Sequence, residues 1–360
     1  MLRVFEAFSG VGAQRMALKN INADFEVVAT SDIDELAILS YYYVHEYPIK
    51  KEIAVSIEDM KDYLVNKGIY TEKKVNNIEN KKIKLLYEAM IATNNMGDIK
   101  KINNKDIPQH DLFTYSFPCQ DISSLGKNKG LDVESGTRSS LLWECRKVIE
   151  EVKPKYLLLE NVKNLTTGKN KKNFILWLDY LKEQGYDNQW GILDAKDYGI
   201  PQRRPRVIVV SKYGKCKSDL LKRRDFANKN ILDIIDLNEN NWVKFKPKAE
   251  VKGNVTVGKY AFLDDRDWKM NGVMITDLCS TQRAGRVGLK VIKNENGILY
   301  ERKLNALECS RLMGFKDQDY EKMKNGNLSD AAIMKLCGNS IVVNVLESIF
   351  KNIYEEEMYD

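Results

Sequence analysis

Histidine is nearly absent from this chain: His45 and His110 are the only two in 360 residues. A His-based metal site is therefore not expected, and no metal is assigned; both histidines read as surface or loop residues. Cysteine is present but scattered. Cys119, Cys145, Cys216, Cys279, Cys309 and Cys337 never fall within four residues of one another, so neither a zinc knuckle nor a redox pair is encoded. Long apolar runs are missing too: none reaches the roughly 18 residues needed to span a bilayer. The opening Met1-Leu2-Arg3-Val4-Phe5-Glu6 goes straight into a strand pattern, without the layout of a signal peptide. A cytoplasmic protein with no membrane partner is expected. Internal repeats and low-complexity tracts are lacking. Charge is close to balanced, with 57 Lys+Arg against 51 Asp+Glu and a net +6, which permits a nucleic-acid partner without demanding one. High Lys, Asn and Ile usage is equally explained by an AT-rich genome.

What is there is ordinary soluble protein, 43% hydrophobic and 30% charged, long enough for two domains and a large core. Residues 2–8 form a strand pattern that ends in Phe8-Ser9-Gly10-Val11-Gly12, and helix formers follow from Ala13 to Leu18. Strand, glycine turn and helix open many nucleotide-binding α/β sheets, because glycine lets backbone approach a ligand and the helix start offers free N–H groups. A lone GxG is as often just a tight turn. A second strand, 26–31, ends in Asp32-Ile33-Asp34, about 20 residues on, where such folds place an acid against ribose hydroxyls. The alternative is a helix cap; Asp34 suits the cap of the helix over 35–43, which leaves Asp32 for the ribose. Residues 48–96 read as a lysine-rich helical insertion, with Ile83, Leu85, Leu86, Ala89 and Met90 at helical spacing and Lys73-Lys74 and Lys81-Lys82 on solvated faces. Gly97-Asp98-Ile99 ends it at a further strand terminus.

Asp111-Leu112-Phe113-Thr114 reads as a short buried strand leading into Tyr115-Ser116-Phe117-Pro118-Cys119-Gln120. A thiol at the mouth of a strand, after proline, is held on rigid backbone and is a candidate nucleophile. For an isolated cysteine, a small buried hydrophobe is the commoner outcome. The strand 155–159 ends in Glu160-Asn161-Val162. In a parallel sheet the carboxyl ends of the strands share an edge, so Cys119 and Glu160 can face one crevice; a cap or an ion pair explains Glu160 equally well. Gln202-Arg203-Arg204-Pro205-Arg206 precedes the strand 207–210, and arginines on such fixed backbone suit a carboxylate or phosphate. After about Lys212 the α/β rhythm is lost. Its most suggestive loop, Ser280-Thr281-Gln282-Arg283-Ala284-Gly285-Arg286, carries the Gln and Arg side chains that read adenine and guanine edges, or is a solvated hairpin. The apolar run 341–350 after Gly338-Asn339-Ser340 is too hydrophobic to stand alone and should dock on the first domain.

Taken in order, Phe8-Ser9-Gly10-Val11-Gly12, Phe117-Pro118-Cys119-Gln120, Ser135-Gly136-Thr137-Arg138-Ser139-Ser140-Leu141, Glu160-Asn161-Val162, Gln202-Arg203-Arg204-Pro205-Arg206, Arg311-Leu312-Met313-Gly314-Phe315 and Gly338-Asn339-Ser340 resemble the motifs of the cytosine-5 DNA methyltransferases. The resemblance implies an α/β fold: a Rossmann-like, S-adenosylmethionine-dependent catalytic domain (1–211 and 328–360) with a smaller target-recognition domain (212–327). It implies Cys119, Glu160 and Arg204 as catalytic residues. Phe8, Gly10, Val11, Gly12, Asp32, Ile33, Asp98, Ile99, Pro118, Leu141, Asn339 and Ser340 would line the cofactor site. Ile33 stands where relatives often carry an aromatic residue, so stacking on adenine would be weaker. Gln120, Ser123, Lys127, Arg206, Thr281, Gln282, Arg283 and Arg286 would meet DNA, and Asn161 would orient the active-site loop. The expected substrate is a cytosine flipped out of double-stranded DNA. A monomer is expected, and a restriction endonuclease partner is compatible with the resemblance. Two competing readings are an RNA (tRNA) methyltransferase of the same family, separated by comparing transfer to duplex DNA and to tRNA, and an inactive DNA-binding relative, which would not be trapped on 5-fluorocytosine DNA.

Overall fold

Leu2–Ala7 is almost wholly buried, which is the pattern of a strand covered on both faces, and it forms β1, an interior strand of a six-stranded sheet. The computed structural model describes residues 1–48, 54–118, 141–168, 170–227, 229, 231–244, 260–262, 274–275 and 290–358. After β1 come α1 (Ala13–Asn20), β2 (Phe25–Ser31), α2 (Glu35–His45), the insertion helices α3 (Ile57–Asn66), α4 (Glu72–Val75) and α5 (Asn80–Ala92), and β3 (Leu112–Tyr115). Then follow α6 (Leu141–Glu144), α7 (Arg146–Val152), β4 (Tyr156–Val162), α8 (Asn170–Glu183), β5 (Tyr186–Asp194), β6 (Gln202–Arg203) and β7 (Pro205–Tyr213). The sheet order is β2-β1-β3-β4-β7-β5. Strands β2, β1, β3 and β4 are mutually parallel, so their carboxyl ends share one edge. β7 runs antiparallel to β4 and starts at that same edge, with Val162 opposite Arg206 and Glu160 opposite Ile208.

The remaining elements are β8 (Val243–Lys244), β9 (Tyr260–Phe262), β10 (Met274–Ile275), β11 (Lys290–Glu295), β12 (Ile298–Lys303), α9 (Ala306–Arg311), α10 (Asp317–Asn325), α11 (Asp330–Asn339) and α12 (Val343–Glu357). β8, β12, β11 and β9 form a separate four-stranded sheet. The chain divides into two compact units, one of Met1–Leu193, Pro205–Lys222 and Leu346–Asp360, the other of Asp194–Arg204 and Arg223–Val345. By compactness the first unit thus runs on to Lys222 and takes up the chain again at Leu346.

In the first unit, Phe5, Phe113, Tyr115, Leu157, Leu159, Trp177 and Val209 build one core around the sheet. The Trp177 indole N–H donates to the Tyr115 hydroxyl at 3.2 Å, so the polar tip of each large ring is satisfied where it is buried. The apolar C-terminal run does dock on this unit. Leu346, Ile349, Phe350 and Ile353 on α12 are buried, Asn20 donates to Glu347 (2.7 Å), and Asn352 donates to the Leu220 and Lys222 carbonyls. In the insertion, Ile83, Leu86, Ala89 and Met90 form the buried face of α5, while Lys74 and Lys82 are not merely solvated: both pair with Glu35. Both histidines depart from the surface reading. His110 is buried, edge-on to Phe5, with Nδ1 2.7 Å from the Pro108 carbonyl; burial pushes its pKa down to about 4. His45 is bonded to the Val11 carbonyl. Neither could be read from sequence, because the Phe5 ring beside His110 and the Val11 carbonyl beside His45 are brought there by tertiary packing.

Candidate active site

The glycine turn after β1 is left-handed at three of five residues: Phe8 (φ 55°), Gly10 (φ 56°) and Gly12 (φ 80°). At Gly12 a Cβ would lie 2.6 Å from the Tyr41 ring, so only glycine fits; at Gly10, among the described residues, nothing lies within 4 Å of where a Cβ would stand. The turn hangs on the end of β2. Phe8 and Ser9 donate their N–H groups to the Ser31 carbonyl, at 2.6 and 3.3 Å, and Gly10 N–H donates to Asp32 Oδ2 at 3.0 Å. The other Asp32 oxygen accepts from Asp34 N–H at 2.9 Å. Burial raises the Asp32 pKa, while these two N–H groups oppose the rise. Asp34 caps α2, its Oδ1 accepting from Leu36 and Ala37 N–H. Ile33 between them is half-exposed, at 49%.

The next wall is Asn95–Ile99. Ser31 Oγ donates to the Gly97 carbonyl at 2.7 Å, and Asn95 Oδ1 accepts from Gly97 N–H at 2.8 Å, a short Asx turn that an Asn two residues before Gly signals in sequence. Asp98 caps the turn of helix that follows, accepting from Lys100 N–H, and its own N–H donates to the Lys67 carbonyl of the insertion. Ile99 is buried in the core. Pro118 lies beyond the end of β3 and Leu141 packs against the core at the start of α6.

Glu160 is the fifth residue of β4 and is nearly buried, at 8% exposure. Its Oε1 lies 3.4 Å from Arg206 Nε, a diagonal cross-strand pair created by the antiparallel register of β7. Asn161 turns its amide the other way. Nδ2 donates to the Phe117 carbonyl at 3.0 Å and Oδ1 accepts from Val162 N–H, tying the end of β4 to the backbone two residues before Cys119. Cys119, Gln120, Ser123, Lys127, Thr281, Gln282, Arg283 and Arg286 lie outside the described residues. Among the described cysteines, Cys145, Cys309 and Cys337 are buried; burial pushes the Cys145 thiol up and that of Cys337 up to about 12, so Cys145 and Cys337 are poor thiolates.

In the second unit, Arg204 is buried and held from three sides. Its N–H donates to Asp194 Oδ1 at 2.7 Å, and Nη2 donates to the carbonyls of Gly338 (2.7 Å) and Ser340 (2.9 Å). Asn339 is the exposed last residue of α11 and Ser340 its C-cap, so Arg204 fixes the turn that carries both. Gln202 is fully buried and donates to the Leu312 carbonyl at 2.7 Å.

A parallel α/β sheet with a glycine turn and an acid at adjacent strand ends is the arrangement of a nucleotide-binding enzyme. The chain belongs to the C-5 cytosine-specific DNA methylases, whose family model matches residues 66–355. It is 40% identical to the type II methyltransferase M2.ScrFI of Lactococcus lactis subsp. cremoris, over 99% of this chain and 100% of that one. It is 33% identical to the orphan methyltransferase M.SssI of Spiroplasma monobiae, over 98% and 97%. In fold it is similar to the S. pombe Dnmt2 methyltransferase, with a TM-score of 0.65 at 19% identity and the whole of both chains covered. Enzymes of this family take their methyl group from S-adenosylmethionine. The residues fit that donor: Gly10 leaves open space beside the Asp32 carboxyl, and the half-exposed Ile33 offers an apolar face next to it. Among the described residues no cluster of His, Cys, Asp or Glu is placed to hold a metal, and no single helix is long and apolar enough to cross a membrane.

Proposed function

We propose that this enzyme methylates carbon 5 of a cytosine flipped out of a short specific sequence in double-stranded DNA, through a covalent bond from Cys119 to C6. Carbon 5 is a poor nucleophile. Addition of the Cys119 thiolate to C6 makes the ring an enamine that can attack a methyl group. S-adenosylmethionine, when bound, supplies that methyl from its sulfonium. Loss of the C5 proton to a base then expels the thiolate and restores the aromatic ring. Glu160 holds N3 and the exocyclic amine, drawing electron density into the ring as the thiolate adds. Arg206 keeps the Glu160 carboxyl oriented. Arg204 holds the Gly338–Ser340 turn, and so supports Asn339 and Ser340 at the cofactor.

The observation that carries this reading is the Asn161–Phe117 hydrogen bond, because it ties the backbone that leads to Cys119 to the strand end that carries Glu160. In this reading Phe8, Gly10, Val11, Gly12, Asp32, Ile33, Asp98, Ile99, Pro118 and Leu141 serve the cofactor from the first unit. Residues 212–327 form the target-recognition domain and 1–211 with 328–360 the catalytic domain. Gln120, Ser123, Lys127, Thr281, Gln282, Arg283 and Arg286 meet DNA. The enzyme acts as a cytoplasmic monomer, and the type II name of M2.ScrFI is consistent with a restriction endonuclease partner. Bisulfite sequencing of unmethylated genomic DNA treated with the protein and S-adenosylmethionine tests the substrate. Protected cytosines in one short context are expected; no protection by folded, cofactor-binding protein, with transfer to tRNA instead, would contradict it.

A further inference from the structure

Phe8, a non-glycine residue, opens the turn in left-handed backbone, and such backbone persists only where its surroundings over-determine it. On one side it is held by the end of β2, through Ser31 and Asp32. On the other side it is held by two residues of α2. Tyr41 packs its ring on Gly12, and its hydroxyl donates to the fully buried Glu6 Oε2 at 2.7 Å. His45 packs on Tyr41 with ring centroids 4.6 Å apart and planes inclined at 51°, and reaches the turn itself, Nε2 lying 2.9 Å from the Val11 carbonyl.

The protonation of His45 follows from its partners. A carbonyl only accepts, so Nε2 carries the hydrogen. Lys19 Nζ lies 3.4 Å from Nδ1, and an ammonium only donates, so Nδ1 presents its lone pair. Both contacts suit a hydrogen on Nε2. The Val11 side chain is buried, so the carbonyl that His45 grips is part of a peptide anchored at both ends, between the open Gly10 and the tightly packed Gly12.

We propose that His45 is a positioning residue for S-adenosylmethionine: by bonding the Val11 carbonyl it keeps the glycine turn in its left-handed, binding-competent form without touching the cofactor. This rests on the reading that the Phe8–Gly12 turn and Asp32 form the cofactor site. Preorganised backbone raises affinity because less ordering remains to be done on binding.

The test uses the full chain and isothermal titration with S-adenosylmethionine. His45→Phe keeps a ring on Tyr41 but loses the donor, and should weaken binding about tenfold. His45→Gln restores an N–H at the Nε2 position and should bind within about threefold of the unaltered protein. Without cofactor, hydrogen exchange at Gly12, whose N–H is bonded to the Ser9 carbonyl at 2.9 Å, should be faster in His45→Phe and restored in His45→Gln. Affinity for a duplex oligonucleotide should not change. Undiminished cofactor binding by His45→Phe would overturn the proposal, as would an equal loss in both variants accompanied by lowered melting temperatures. Asp32→Ala separates the two layers. If it weakens binding while His45→Phe does not, only the positioning role fails; if neither matters, the turn is not the cofactor site and the underlying reading fails as well.

Discussion

Asn161 and Glu6 are buried polar residues near the ends of β4 and β1. Asn161 donates to the Phe117 carbonyl, two residues before Cys119 in the chain. Asn161→Ala should lower turnover by about tenfold, because small misplacement of a reacting group is costly, while calorimetric affinity for S-adenosylmethionine stays unchanged; equal rates would remove the bond from the mechanism. Glu6 sits in β1 with its pKa raised from 4.5 to about 7 by burial, against the lowering effect of the Tyr41 hydroxyl. Below pH 4.5 the folded and unfolded chains both hold the proton. Between about 4.5 and 7 only the folded chain does, so stability falls as pH rises through this window, and above it the cost of ionising Glu6 is fully present. Glu6→Gln accepts the same Tyr41 hydrogen bond without a charge. It should unfold at higher urea than the unaltered protein at pH 8, by on the order of 3 kcal/mol, and show no advantage at pH 4.5 or below. An equal midpoint at pH 8 would refute the assignment.

Elements carry two further predictions. The insertion is not an appendage, since the α3 terminus at Lys67 accepts the Asp98 N–H at 2.8 Å and Gly97 faces the Lys67 carbonyl. Gly97 has φ 78°, and a Cβ there would stand 2.1 Å from that oxygen. Gly97→Ala should therefore destabilise the first unit by about 2 kcal/mol or more and weaken cofactor binding, read by thermal unfolding and calorimetry. On the far side of the sheet, Lys212 on β7 and Glu356 on α12 form a buried pair at 2.8 Å. Lys212→Met leaves that carboxylate without its cation and should cost about 3–5 kcal/mol, measured by denaturant unfolding. The elements themselves were largely legible in sequence. The β1–turn–α1 unit, the Asp34 cap and the α5 stripe depend on neighbours a few residues away, and local spacing reports them. The Arg206–Glu160 pair and the His45–Val11 bond were not legible. The first depends on β7 running antiparallel to β4 in one register, the second on α2 crossing the turn, and neither leaves a local signal.

At the scale of the whole molecule, a net charge of +6 and DNA as substrate class make association electrostatic. Affinity for duplex DNA should fall steeply with salt, linearly in log–log form, while cofactor affinity should be nearly insensitive; a flat response for DNA would argue against phosphate contacts. The central claim is that Cys119 attacks the cytosine ring and that Glu160, held beside Arg206, assists it. Incubation with duplex DNA carrying 5-fluorocytosine at the target position, in the presence of S-adenosylmethionine, tests this most directly, because fluorine at C5 blocks the release step. A denaturation-resistant protein–DNA adduct is predicted for the unaltered protein, slower for Glu160→Gln and absent for Cys119→Ala. An adduct that persists in Cys119→Ala, or none in an unaltered protein that methylates ordinary duplex DNA, would contradict the account.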